Sequence, residues 1–158
     1  MKKSTFIGNL VAWIVVAALC CAFLAWWHLG NGTPNISDPL VQLGVVLASP
    51  LLLYAIGVLL GVALMWFKRI LVGRLTKRVC RVLGILGLAF LLLAGVPALV
   101  PATGEALLGP AFVVVYITML APLMIVIIGF LYAVGCAGVD TSKRGPFAKY
   151  LPDDHFED

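Results

Sequence analysis

Four long stretches of the chain are almost free of charged side chains, and this feature restricts the possible folds most. They cover residues 6–29, 40–67, 79–100 and 111–138, and Arg81 is the only Asp, Glu, Lys or Arg within them. The hydrocarbon core of a bilayer is about 30 Å thick, and about 20 helical residues cross it. Each stretch is therefore long enough to form a transmembrane helix.

The composition agrees with a membrane protein. Hydrophobic residues make up 63% and charged residues 11% of the 158 residues, whereas soluble domains have about half and a quarter. Transmembrane β-strands alternate apolar and polar residues over about 10 positions, and these stretches are apolar throughout. The sequence predicts an all-α membrane protein in which residues 1–158 form one transmembrane domain, a four-transmembrane-helix bundle of two helical hairpins.

The basic residues predict the orientation of this bundle. All eleven precede the first stretch, lie between or at the boundary of the second and third, or follow the fourth: Lys2, Lys3, Lys68, Arg69, Arg74, Lys77, Arg78, Arg81, Lys143, Arg144 and Lys149. Loops rich in Lys and Arg remain cytoplasmic. We therefore expect both termini and the central connector to be cytoplasmic, in a multi-pass protein of the plasma membrane, here a bacterial inner membrane.

The connector, residues 68–81, has an amphipathic pattern. Basic and apolar side chains separate on a helical wheel, and Gly73 is the expected break before a helix that enters the third span. Its six basic residues, Lys68, Arg69, Arg74, Lys77, Arg78 and Arg81, are predicted to contact anionic lipid headgroups, with an acidic protein partner as the alternative. Nucleic acid is not expected, because no aromatic residues are interleaved for base stacking.

The second and fourth spans share a pattern of proline and small residues. When "SPLLLYAIGVLLGVA" is aligned with "APLMIVIIGFLYAVG", matching positions differ by 72 residues. A tandem duplication of one hairpin would explain this match, and its halves would be related by an axis along the membrane normal. Chance similarity between two apolar helices is the alternative.

The matching residues form a stripe on each helix, because seven residues return nearly to the same face. Small residues allow transmembrane helices to approach closely. The predicted helix-packing residues are Pro50, Gly57, Gly61, Pro122, Gly129 and Ala133. The prolines are expected to bend their helices, near the hydroxyls of Ser49 and Thr118, and a gating hinge is the alternative role.

The N-terminus and the cysteines suggest no processing or redox chemistry. The basic start and apolar run resemble a secretory signal but lack a small-x-small cleavage site, so we expect an uncleaved first span. The four cysteines, Cys20, Cys21, Cys80 and Cys136, contain no CxxC pair. They are predicted to be packing residues.

The sequence contains no recognisable catalytic or metal site, and no cofactor is expected. The spans lack a buried carboxylate of the kind that marks proton paths, although Gln42, Ser49 and Thr118 could line a small polar vestibule. Outside, only His28, Asp38 and Glu105 titrate, and His28 follows two tryptophans as an interfacial anchor would.

The tail, residues 139–158, changes from basic to acidic along its length. A flexible tail is the default expectation. The alternative is a short docking peptide anchored by its apolar side chains Phe147, Tyr150, Leu151 and Phe156.

These features favour a small non-enzymatic integral membrane protein. We predict an accessory or structural subunit that associates with other membrane-protein subunits or with itself. One alternative is a small channel or transporter for a neutral or apolar solute. Another is a membrane immunity or exclusion factor that blocks the pore of a second protein.

Overall fold

A computed structural model describes residues 3–30, 39–68, 70–100 and 104–139. The elements are α1 (Lys3–Gly30), α2 (Pro39–Leu43), a π-helical segment (Gly44–Ala48), α3 (Ser49–Phe67), β1 (Leu71–Val72), α4 (Arg74–Leu99), α5 (Gly104–Leu120), α6 (Pro122–Gly135) and β2 (Gly138–Val139). Because the two strands have only two residues each, the all-α fold class predicted from the sequence is confirmed.

Three helical segments of the described ranges are long and apolar enough to cross a bilayer. They are Phe6–Leu29, Leu40–Phe67 and Arg74–Ala98. α2, the π segment and α3 follow one another without a break and together form the second of these. Helices α5 and α6 form a further span only as a pair, because they meet at a bend of 103°. The chain is therefore a multi-pass membrane protein with three such helices, or four if the bent pair counts as one span.

The bend lies at Pro122, one of the two prolines expected to bend their helices, and it divides the predicted fourth span, residues 111–138, into two helices. Ala121 has φ −141° and ψ 57°, which is outside the helical region. Proline lacks an N–H and its ring disfavours helical geometry in the preceding residue. The N–H of Ala121 still bonds the carbonyl of Ile117 at 2.8 Å, so α5 ends there and α6 begins at Pro122.

Two other predicted boundaries also move. α5 begins at Gly104 and contains Pro110, so residues 104–110, seven of the ten between the third and fourth predicted spans, are helical. α4 begins at Arg74, with Gly73 as its N-cap residue, which agrees with the expected break at Gly73, and the helix therefore starts five residues before the predicted span. The basic residues from Arg74 onward therefore belong to the first two turns of a spanning helix, and the connector shortens to residues 68–73.

The second helix passes through Pro50 without a break. The π segment precedes it, and its wider turn lets the backbone N–H and the hydroxyl of Ser49 both donate to the carbonyl of Gly44, the hydroxyl at 3.0 Å. Such π-bulges replace the regular bonding pattern locally. A proline that follows one is therefore accommodated within a continuous helix.

α3 is the central helix of the bundle. It packs against α6 and α1, while α4 packs against α6 and α5. Its side chains Tyr54, Val58 and Val62 are fully buried. Along α1, only 11% of the residues in the most apolar window are buried, compared with 44% in the second span.

Two contacts place four helix ends at one end of the bundle. Phe6 at the start of α1 stacks on Trp66 at the end of α3, with ring centroids 4.3 Å apart. β1 pairs with β2 in parallel, Leu71 with Gly138 and Val72 with Val139. The start of α4 and the end of α6 therefore meet, and the bent pair α5–α6 returns to the end from which α4 departed.

Candidate functional site

The interface between α3 and α6 contains most of the predicted helix-packing residues. A Cβ atom at Gly57 would overlap the backbone carbonyl of Val126, and one at Gly129 would overlap the carbonyl of Tyr54. A Cβ at Gly61 would lie 2.5 Å from that of Ala133. The backbones thus touch at positions where any side chain would separate them.

These contacts are reciprocal. Val126 lies 72 positions after Tyr54, and Gly129 lies 72 positions after Gly57. The contact of Gly57 with Val126 and that of Gly129 with Tyr54 therefore join the same two equivalent positions, each time in opposite helices. Gly61 and Ala133, which are equivalent to each other, meet directly. This arrangement is expected when two parallel helices are related by a two-fold axis between them, and it supports the hypothesis of a duplicated hairpin.

The two prolines of the stripe have different environments. Pro50 is fully buried, whereas Pro122 is exposed at the start of α6. The hydroxyl of Thr118 donates to the carbonyl of Val114 at 2.7 Å, within its own helix. Gln42 is exposed.

An aromatic cluster of Trp13, Tyr54 and Tyr132 lies next to this interface. The ring centroids are 5.2 Å apart for Trp13 and Tyr54 and 5.8 Å apart for Trp13 and Tyr132. Tyr54 donates its hydroxyl to the carbonyl of Gly84 at 3.0 Å, and Tyr132 donates to Oδ1 of Asn9 at 3.4 Å. The cluster therefore joins α1, α3, α4 and α6.

The sequence gives no sign that the side chains of this cluster meet. Their partners are far apart in sequence, so no local spacing marks them. Two small residues of α4 also pack closely against α6 and were not predicted. A Cβ at Gly84 would lie 2.6 Å from Cα of Tyr132, and one at Gly87 would overlap Ile128. The spacing of these two glycines was the available indication.

A basic surface surrounds the start of α4; its described residues are Lys68, Arg74, Lys77, Arg78 and Arg81. Lys77 is half-buried and the other four are exposed. Nε of Arg81 donates to the carbonyl of Gly135 at 3.2 Å, which anchors the guanidinium at the end of α6. Arg69, the sixth predicted contact residue, lies outside the described residues.

The cysteines are free thiols, of which Cys20 and Cys80 are buried. Cys136 directly follows α6. Burial raises the pKa of the Cys136 thiol, although the positive charges of Arg81 and Lys77 act in the opposite direction. This thiol is therefore neutral at pH 7, whereas a nucleophilic cysteine needs its thiolate.

An apolar cavity of about 70 Å³ lies at the bend between α5 and α6. Phe90 and Leu91 of α4, Val114 and Ile117 of α5, and Ile125 and Ile128 of α6 contribute to its lining. Since its walls offer no polar side chain, only apolar molecules or groups suit it.

The described ranges contain no group of three or more His, Cys, Asp or Glu side chains that could hold a metal ion. His28 is exposed near the end of α1. Asp38 and the tail residues from position 140 onward, with their predicted peptide anchors, lie outside the described residues.

Comparison with protein-family models, with curated proteins and with solved structures finds no match to this chain. Its function is therefore argued from its own residues.

Proposed function

We propose that this chain is a non-enzymatic subunit of a membrane assembly, either with other membrane proteins or with copies of itself. We further propose that the bundle end holding the basic surface faces the cytoplasm. The main support is α1, a spanning helix that leaves most of its apolar surface uncovered.

The uncovered side of α1 has the chemistry of a helix-packing surface. Gly8, Ala12 and Ala22 share one exposed face, and a Cβ at Gly8 would have no neighbour within 4 Å. Lipid provides no hydrophobic drive for helix association, so transmembrane partners meet where small residues allow close approach. The part of this face around Gly8 and Ala12 resembles the α3–α6 interface in having small residues four positions apart, and no helix of the described ranges covers it.

Native mass spectrometry after mild detergent extraction tests this proposal. We expect a complex of fixed stoichiometry, and loss of it in the double variant Gly8→Leu/Ala12→Leu. Gly109→Leu is the matched control, because Gly109 is also an exposed helical glycine without neighbours within 4 Å. A monomer without any partner under these conditions would contradict the proposal, as would a complex indifferent to the α1 substitutions.

A second function, transport of a small neutral or apolar solute, is favoured by the broken helix α5–α6 and its apolar cavity. Discontinuous helices form the binding sites of many transporters. Under this hypothesis, the cavity should take up a small apolar molecule such as xenon or benzene from solution. Filling the cavity with Ile117→Phe, at a residue that lines it, should then abolish this uptake, and a protein that takes up neither molecule would count against transport of apolar solutes.

A further inference from the structure

We propose that the acidic segment at residues 153–158 binds the basic surface at the start of α4. The occupant of this surface would thus be another part of the same chain. Lipid headgroups would compete with the segment for the same cations.

The β1–β2 pairing places the start of the tail beside this surface. Val139 pairs with Val72, and Gly73, the next residue, is the N-cap of α4. The chain therefore leaves β2 within one residue of the helix that carries Arg74, Lys77 and Arg78.

The charges of the tail and of the surface are complementary. Of the seven acidic residues in the sequence, Asp140, Asp153, Asp154, Glu157 and Asp158 lie in the tail. The remaining two are Asp38, directly before α2, and Glu105, in the first turn of α5, so both belong to the opposite ends of the spans. The tail is therefore the only part of this sequence whose carboxylates can reach the basic surface.

The start of α4 itself favours an anion. Its first turn contains no acidic residue and its N-cap makes no side-chain hydrogen bond. The positive end of the helix dipole therefore adds to the charge of the basic side chains, and a carboxylate close to it is stabilised.

The tail is long enough to make this contact. Asp153 lies fourteen positions after Val139. An extended chain spans up to about 3.5 Å per residue. The helix rises about 1.5 Å per residue, so Arg81 is roughly 10 Å along the axis from Arg74. Tethering also gives the segment a high effective concentration, which permits binding by weak individual ion pairs.

Electron paramagnetic resonance distances in nanodiscs of phosphatidylcholine test this proposal. In a cysteine-free full-length chain, spin labels are placed at Leu75→Cys, an exposed site beside the basic surface, and at His155→Cys. We expect a narrow distance component that disappears in 1 M salt, where the Debye length falls to about 3 Å. Adding phosphatidylglycerol should reduce the same component, because its headgroups compete.

Substitutions separate charge recognition from other causes. In the quadruple variant Asp153→Asn/Asp154→Asn/Glu157→Gln/Asp158→Asn, the docked fraction should fall on the order of tenfold, as expected for several exposed ion pairs. Lys143→Gln/Lys149→Gln is the control in the same tail and should retain the narrow component. A broad distribution in the starting chain, or a narrow one that the quadruple variant leaves unchanged, would overturn the proposal. None of these substitutions touches a described helix, so the packing contacts of the bundle stay the same in every variant.

Discussion

Single glycines determine how closely α3 and α6 approach. Gly57 and Gly129 each face a backbone carbonyl of the other helix, and the reciprocal pairing makes the two positions equivalent. Glycine weakens a helix in water by up to about 1 kcal/mol relative to alanine. In this interface the same residue is favourable, because close backbone contact replaces the missing side chain.

Gly57→Ala should therefore destabilise the protein, although alanine is the better helix former. Overpacking of this kind costs about 1–3 kcal/mol, and Gly129→Ala should behave in the same way. The free energy of unfolding can be measured by SDS titration in mixed micelles. Gly109→Ala, with open space around its Cβ, should be neutral or slightly stabilising. Equal stability of Gly57→Ala and the unmodified chain would contradict the close α3–α6 contact.

The hydroxyl of Tyr54 offers a second test at this scale. It is buried and donates to the carbonyl of Gly84 across the α3–α4 contact. Tyr54→Phe should lower the free energy of unfolding by about 0.5–1.5 kcal/mol, the usual worth of one such bond. Tyr116→Phe removes the same hydroxyl from a side chain that is 68% exposed and should have little effect. Equal losses in both variants would mean that the Tyr54 bond contributes nothing specific.

Among the helices, the two equivalent prolines have opposite effects. Pro50 follows a π-helical turn and its helix continues, whereas Pro122 follows a non-helical Ala121 and its helix breaks. The segments before the two prolines differ in sequence, "GVVLAS" in one and "VYITMLA" in the other. The duplication, if it occurred, has therefore diverged in this part of the spans.

Pro122→Ala should straighten the bent pair by restoring a backbone N–H and allowing Ala121 to become helical. Spin labels at Leu108→Cys and Ile127→Cys, both exposed, would lie about 29 Å apart on a straight helix. The bend of 103° shortens this separation by roughly 8 Å, given about 1.5 Å of rise per residue. The distance should therefore lengthen in Pro122→Ala and remain unchanged in Pro110→Ala, since α5 passes through Pro110. An unchanged distance in Pro122→Ala would show that tertiary packing, rather than the proline, holds the bend.

Sequence patterns predicted the spans and the break at Gly73 because both depend on local properties, namely hydropathy and glycine in a basic connector. The different outcomes at Pro50 and Pro122 could not be predicted, because each proline shows only that a helix may bend. In one case a π turn before the proline keeps the helix continuous, and in the other the residue before the proline leaves the helical region; no residue pattern in the sequence distinguishes the two. The bonds of Tyr54 and Tyr132 likewise depend on residues 30 and 123 positions away.

At the scale of the whole molecule, the bundle is symmetric in part. α1 packs on α3 as α4 packs on α6, and α3 and α6 meet through equivalent residues. The symmetry does not extend to the segments that precede Pro50 and Pro122 in the chain, because α4 also contacts α2 and the π segment. The polar cluster adds a further difference, because Tyr54 and Tyr132 are not equivalent positions. One end of the bundle is thus shared by both halves, and this end carries the basic surface.

The proposed cytoplasmic location of the basic surface depends on the orientation of the whole molecule in the membrane. Lys68 and β2 lie at the same end of the bundle. Single cysteines introduced by Lys68→Cys and Ser142→Cys should therefore both be protected from a membrane-impermeant maleimide in intact cells. Asn35→Cys, in the loop expected outside, should react without permeabilisation. The physical reason for this expectation is that loops rich in Lys and Arg stay on the cytoplasmic side. Labelling of Lys68→Cys in intact cells would reverse the orientation, and protection of Lys68→Cys with labelling of Ser142→Cys would instead break the β1–β2 pairing.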